Sequence, residues 1–436
     1  MPTVAVIGAG LGGLPAAYEL RHLLPRDHTV TLISDKSHFT FIPGLIPVAL
    51  NLKPLAHVQL DLQTLAQRHG LDFVRGGVTH LDMPNRQITV AGEKTIDYDY
   101  VIIAAGASLD FDPIPGLGPH GGYTQSVCTP THALAARTAW LEFLENPGPL
   151  VVGAAPGAGC FGPAYEFALI ADQQLRRHGL RDQVPITYVT PEPYGGHLGV
   201  SGVKHAQELT AQLMQERGIE VIDTMAITAV EPERMILANG RSLPFSYAMV
   251  LPAFRGVQFV RDLPGLGDEK GFIPVLSTQR HPTFPEVYAV GVSVKLPQLD
   301  KTEIPIGLPK SGQMTEAMAT AAAHNIAVQL GAIRAPLQSP TLDALCFAEF
   351  GDTGIAYIAA PVIPDPETGQ RRTAYAARGP WVVWAKMAFE EYFMAKMRLG
   401  VGMPWFEKLG LRALFNLKLF RSVLPEDLQA LMQASP

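Results

Sequence analysis

At about 150 residues per domain, a chain of 436 residues predicts two to three domains, with length enough for a large core and no need of a disulfide or metal staple. Only 17% of its residues are charged, against about 25% in ordinary soluble proteins, which excludes a disordered chain or one that coats nucleic acid. The net charge of −6 gives no reason to expect a polyanionic partner, so no nucleic acid is expected.

The first predicted element is the apolar strand Val4–Ile7, which runs into Gly8-Ala9-Gly10-Leu11-Gly12-Gly13 and a helix over Leu14–Leu24. Because Thr3–Ile7 already reads as structure, no cleavable leader is expected. Gly8, Gly10 and Gly13 fit G-x-G-x-x-G between strand and helix. Gly8 permits a tight turn, Gly10 lets backbone approach a pyrophosphate, and Gly13 lets helix and strand pack closely. The diphosphate then sits on the helix N-terminus, where free N–H groups and the dipole favour anions. A second strand, Thr29–Ile33, ends at Ser34-Asp35. Ser34 takes the position where such folds place a ribose-binding acid and Asp35 falls one residue late, so both stay open. A third strand, Asp97–Ala105, is closed by Gly106.

From Gly148 the pattern restarts: strand Leu150–Val152, a Gly-rich turn over Gly153–Gly162, a helix from about Gly162 to Arg177, and strand Ile186–Thr190. The restart predicts two related α/β, Rossmann-like domains. Pro156 removes an N–H donor from this turn and its glycine spacing is off, which predicts an inherited fold that binds no nucleotide. Cys160 takes that place, at a helix N-terminus where the dipole is expected to lower a thiol pKa. The three cysteines, Cys128, Cys160 and Cys346, show no zinc or haem spacing, so no metal is expected. Spacing assigns Cys160 no partner, although Cys346 lies outside both nucleotide folds. Glu166, six residues after Cys160, could accept protons from a thiol pair. His132 and His197 flank turns and, taken alone, read as structural.

Short strands over Asn239–Gly291 end in Val287-Tyr288-Ala289-Val290-Gly291, and a long helix is predicted over Gly312–Leu330. Lys310, just before that helix, is a cation placed where the dipole is already positive, and the two together suit a bound anion. Strands follow near Leu342–Ala360, then two amphipathic helical stretches. Expected domains are 1–113 with 280–335, 114–279, and 336–436. No segment reads as a membrane span. Over Pro380–Arg421, however, seven Lys or Arg stand against three Glu, a net +4 that leaves −10 for the rest of the chain. Aromatic residues interleave with those bases, as in helices that lie in a membrane interface.

Taken together these residues resemble the sulfide:quinone oxidoreductases, within the flavoproteins that carry two dinucleotide-binding domains. The carriers are Val6-Ile7-Gly8-Ala9-Gly10, Tyr98–Gly106, Gln125-Ser126-Val127-Cys128-Thr129, Gly159–Glu166, Pro309-Lys310-Ser311-Gly312 and Cys346-Phe347-Ala348. The resemblance implies FAD, hydrogen sulfide as donor and a membrane quinone of the ubiquinone or menaquinone class as acceptor. It implies a Cys160–Cys346 redox disulfide that hydrosulfide opens, with sulfur growing as polysulfide or leaving. Cys128 matches a third family cysteine, bonded to the flavin in some members and a shuttle or dispensable in others. Glu166, His132 and His197 match positions associated with proton handling, and Lys310 would stabilise negative charge on the flavin. Gly291 precedes Val292, which replaces the usual ribityl-binding acid, so backbone N–H groups would serve there. Phe347 and Phe389 would line the quinone pocket, with Lys386 and Phe406 nearby. A peripheral, monotopic place on a bacterial cytoplasmic membrane, in contact with the lipid bilayer surface, is implied, with a homo-oligomer as a further candidate. The rivals are a type II NADH:quinone dehydrogenase, the flavoprotein subunit of a flavocytochrome c-type sulfide dehydrogenase, and an inactive scaffold.

Overall fold

The computed structural model describes residues 1–423 apart from Glu93, Gln298, Asp300, Pro366 and Glu367, so 424–436 of the expected C-terminal region lie outside the described residues. In chain order, the elements that position the site begin with β1 (Thr3–Ile7), α1 (Gly13–Leu23), β2 (Thr29–Ser34), β3 (Asp72–Arg75) and β4 (Tyr100–Ile103). Then come α2 (Pro130–Glu145), β5 (Leu150–Ala154), α3 (Gly162–Arg177), β6 (Ile186–Val189), β7 (Ile219–Ile222) and β8 (Tyr247–Leu251). The last are β9 (Val287–Ala289), α4 (Gly312–Gln329), β10 (Ala344–Glu349), β11 (Gly354–Ala360), β12 (Thr373–Arg378), α5 (Trp381–Arg398) and α6 (Trp405–Phe415).

Val4, Ala5 and Val6 are wholly buried, an unbroken apolar run that suits a strand covered on both faces. β1 accordingly sits in a parallel sheet of order β9-β4-β1-β2-β3, with α1 packed on the alanine-rich α4. β9 enters this sheet from far along the chain. The single strand expected over Asp97–Ala105 is two strands in different sheets. Lys94–Asp97 closes an antiparallel meander, and the chain crosses at Tyr98-Asp99, where the Asp99 carboxylate accepts the Thr3 N–H at 2.7 Å. Only Tyr100–Ile103 pairs beside β1.

A second parallel sheet has the order β7-β6-β5-β8. α3 covers it and is buried along nearly its whole length. The third layer, β10-β11-β12, is antiparallel. Its strand β12 carries no clear period in the sequence and is fixed by pairing to β11 and by a bridge between Lys204 and Tyr375.

α5 binds this layer to the segment that follows β2. Phe393 stacks on Phe39 at 6.2 Å and lies 5.5 Å from Phe41, pairs worth about 0.5–1.5 kcal/mol each beyond their burial. The basic residues expected to face lipid do not all do so. Lys386 and Lys396 are buried, while Trp384, Trp405 and Leu414 are 70%, 74% and 74% exposed. Two buried ammonium groups survive because distant carboxylates meet them: Glu166 for Lys386, and Glu316 and Glu407 for Lys396. Among the described residues no helix is long and apolar enough to cross a membrane.

Candidate active site

The nucleotide cradle follows from glycines that nothing larger could replace. Gly8 has φ +97°, and a Cβ on Gly13 would lie 1.7 Å from the Gly8 carbonyl oxygen. A Cβ on Gly10, by contrast, would meet no atom within 4 Å, so there the backbone borders open space at the start of α1. Gly12 faces Thr315 at the start of α4. Gly106 and Gly291 follow β4 and β9, adjacent strands of the same sheet. The Gly291 N–H points inward to Met318 Sδ at 3.2 Å, so it is not among the backbone donors that Val292 was expected to leave exposed. Ser34 is buried with its Oγ accepting the Lys36 N–H at 3.1 Å, whereas the Asp35 carboxylate is at the surface beside Lys36 Nζ.

Lys310 lies over the Phe272 ring at 4.7 Å and donates to the carbonyls of Val292 (3.1 Å) and Val294. Burial lowers its pKa to about 8, with Asp268 opposing. An open Gly10 turn, a helix N-terminus and this lysine beside the β9 end fit the two halves of a flavin dinucleotide, diphosphate and isoalloxazine.

The second Gly-rich turn is closed by the protein itself. The Gly157 N–H donates to the Pro305 carbonyl at 2.9 Å, and Gly307 N–H to that of Ala158 at 3.1 Å. A Cβ on Gly159 would fall 2.6 Å from the Phe254 ring. The Gly157 N–H is thereby turned inward, away from any phosphate at this turn.

At this second turn the thiols converge. Cys346 projects from β10 to the first turn of α3, where its Sγ is 3.7 Å from the Cβ position of Gly162. Cys160 is near enough to act on the charge of Cys346, and Cys128 on that of Cys160. Burial pushes the Cys160 thiol up to about 12, Cys346 to about 12 and Cys128 to about 11. The expected depression at the helix N-terminus is thus overturned: the Gly162 N–H favours the Cys160 thiolate, but loss of solvent outweighs it.

Glu166 is buried one turn into α3. Its Oε1 accepts the Glu349 N–H at 2.8 Å and pairs with Lys386 Nζ. Burial opposes the Lys386 ammonium, yet Glu166 holds its pKa above the ordinary value. His132 meets not a thiol but His120, Nε2 to Nε2 at 3.1 Å, and burial and that neighbour lower its pKa. His197 is buried in the turn after β6, with Nδ1 accepting the Gly199 N–H at 3.2 Å. Phe347 meets Trp381 and Phe415; Phe389 meets Phe41 and Phe393. Phe406 is exposed on α6 against Tyr392.

Sequence reasoning missed Glu192. It is fully buried, accepting from Tyr165 Oη (2.7 Å), Thr190 Oγ1 (2.7 Å) and the Leu198 N–H (2.6 Å). Its one signal was a carboxylate held between Pro191 and Pro193 directly after an apolar strand.

A family model described as pyridine nucleotide-disulphide oxidoreductase matches residues 2–319. The sulfide-quinone reductase of Aquifex aeolicus (strain VF5) is 36% identical over 414 residues, 93% of each chain. The crystal structure of the Aquifex aeolicus sulfide:quinone oxidoreductase aligns with a TM-score of 0.92 at 35% identity, covering 97% of both chains. The Plasmodium falciparum NDH2 structure in complex with NADH shares the fold alone, at 14% identity, with a TM-score of 0.68 over 95% of this chain and 98% of its own.

Proposed function

The chain belongs to the pyridine nucleotide-disulphide oxidoreductases and, within them, to the sulfide:quinone oxidoreductases, and from that premise we propose how its residues divide the work. It oxidises sulfide and reduces a quinone with FAD as cofactor. The observation that carries the residue-level reading is the approach of Cys160 and Cys346 at the start of α3, beside a turn closed to any second nucleotide. Hydrosulfide attacks a Cys160–Cys346 disulfide; one S–S bond forms as another breaks, leaving a persulfide on one cysteine and a thiolate on the other. Bound FAD supplies the two-electron relay from this pair to the quinone. Cys128 stands behind Cys160 as an acceptor for sulfur.

The Gly8–Gly13 turn holds the diphosphate, Asp35 the ribose, and Lys310 the flavin. Glu166 lies beside Cys346 and is paired with Lys386. Phe347 and Phe389 line the quinone path. His132 and His197 act at a distance from the thiols, through the turns they brace. The boundaries 1–113 with 280–335, 114–279 and 336–436 divide flavin, sulfur and quinone duties. Mixing this enzyme anaerobically with sulfide should bleach the flavin, while NADH should not. Equal bleaching by NADH would restore the dehydrogenase reading.

Lipid contact on a bacterial cytoplasmic membrane is assigned to the exposed apolar residues of α5 and α6, notably Trp384, Trp405, Leu409 and Leu414, rather than to the full set of bases. Burying such side chains is worth about 1.5–3 kcal/mol each. Replacing Trp384, Leu409 and Leu414 together by Ser should therefore weaken liposome co-sedimentation at least about tenfold with folding intact. Unchanged sedimentation would remove this surface from the proposal.

A further inference from the structure

β10 has two faces, and only one of them belongs to the thiols. Successive side chains of a strand point to opposite sides. Cys346 turns to the start of α3, so Phe347 turns away from it. Leu345, two residues back on the same side as Phe347, joins Phe415 in one apolar cluster. The rings that receive Phe347 come from two separate helices. Trp381 is the first residue of α5 and lies edge-on to Phe347 at 6.2 Å and 87°. Phe415 is the last residue of α6 and lies at 5.9 Å and 67°. Phe347 therefore stands where the beginning of one helix and the end of the other meet.

This trio is not closed core. Trp381 is 43% exposed and Phe347 and Phe415 are half-buried, whereas Phe350, just after β10, and Phe393 on α5 are buried. Its rings are nevertheless held in place. A Cβ on Gly379 would fall 2.6 Å from Trp381 Cδ1, so the indole rests against bare backbone. Gly379 and Gly354 exchange backbone hydrogen bonds of 3.0 and 3.2 Å, which tie the start of α5 to β11. After Phe415 the chain turns at Asn416, with φ +55°, and the Asn416 Nδ2 donates to Thr373 Oγ1 at 3.0 Å. Trp384 lies one turn beyond Trp381 on the same side of α5, and Leu414 directly precedes Phe415; both are exposed. The trio thus opens on the surface assigned to lipid.

We propose that Trp381 and Phe415 are the walls of a mouth in which the isoprenoid tail of a quinone lies while its head reaches Phe347. They would set a preference for tailed quinones over tail-less ones. The proposal rests on Phe347 lining the quinone path. An isoprenoid tail is hydrocarbon, with no polar group to orient it, so it is recognised only by the apolar surface it covers. Two fixed rings at the lipid edge supply that surface, and the tail passes from lipid to Phe347 without crossing water. A quinone without a tail covers neither ring and loses nothing when one is removed.

The test compares two acceptors for the FAD-loaded enzyme at saturating sulfide: a benzoquinone bearing a short isoprenoid tail, and the same ring with a methyl group in its place. Trp381→Ala and Phe415→Ala should each raise KM for the tailed quinone by about tenfold. Its kcat, and the KM of the methyl quinone, should stay within about twofold. Trp381→Phe should recover most of the loss. Gly379→Ala, which keeps the indole but crowds it off its seat, should move KM in the same direction. Anaerobic bleaching of the flavin by sulfide, which needs no quinone, reports that each variant is folded and loaded. Equal rises for both quinones, or no rise for the tailed one, overturn the proposal. If Trp381→Ala does not bleach, Phe415→Ala decides. Phe347→Ala separates the two layers. If it raises KM for both quinones while the other variants change neither, only the role of Trp381 and Phe415 falls. If it changes neither, the reading of Phe347 falls.

Discussion

Cys160→Ser and Cys346→Ser are each expected to lower sulfide-dependent quinone reduction by about three orders of magnitude or more while leaving FAD content unchanged. Neither thiol touches the Gly8–Gly13 turn, so cofactor retention is set elsewhere. The two cysteines work as one unit, a bond that either both form or neither does. The double variant should therefore be no slower than either single one, since groups acting together are strongly non-additive. Steady-state reduction of a soluble quinone by sulfide, with flavin absorbance as the loading control, measures all three. A single variant within tenfold of wild type would remove the disulfide from the mechanism. The buried environment adds a second expectation: with both thiols pushed up to about 12, alkylation of the reduced enzyme at neutral pH should be slow compared with an exposed cysteine.

Lys396→Met should be the most damaging change outside the thiols. Lys396 Nζ lies 2.6 Å from Glu316 and 2.8 Å from Glu407, and Tyr392 Oη donates to Glu407 at 2.8 Å. Removing the ammonium strands two carboxylates in an apolar interior, a change that costs about 3–5 kcal/mol. Burial already raises the Glu316 pKa, with Lys396 pulling it back. A carboxyl whose folded pKa is raised contributes stability that is full below its ordinary value of 4.5 and is lost as pH rises through the folded value. The damage from Lys396→Met should therefore be mild at acid pH, where Glu316 can take a proton, and grow toward alkaline pH. Thermal unfolding across pH measures it, and adding Glu316→Gln and Glu407→Gln to Lys396→Met should recover much of the loss. A melting temperature unchanged at alkaline pH would contradict this account.

The parts of the site legible in the sequence are those whose chemistry is local. A turn such as Gly8–Gly13 declares itself because each glycine answers a clash or a close approach within a few residues of chain. The start of α3 at Gly162 follows from Pro163 in its first turn. The polarity of α5 could not be read that way. Its bases Lys386 and Lys396 resemble solvated charges until Glu166, Glu316 and Glu407 are brought to them by folding, the first from 220 residues away. Cys160 misled in the same sense: the helix N-terminus is visible in the sequence, while the desolvation that outweighs it is a property of the packed site. Glu192 went unread because its importance lies in burial, and His120, itself exposed, because its contact with buried His132 leaves no period.

The ion pairs of α5 also bear on how this region could have been inherited. A foot that merely rested on the body through apolar faces could be cut away and replaced by another lipid-binding segment. This one supplies the counter-charge for Glu166 beside the thiols and for Glu316 beneath the flavin-binding sheet. A chimera carrying a foreign C-terminal region in place of 336–436 would leave an uncompensated acid in each of two units. The body and its foot are thus bound to change together, and a transplanted tail would have to bring its own two lysines.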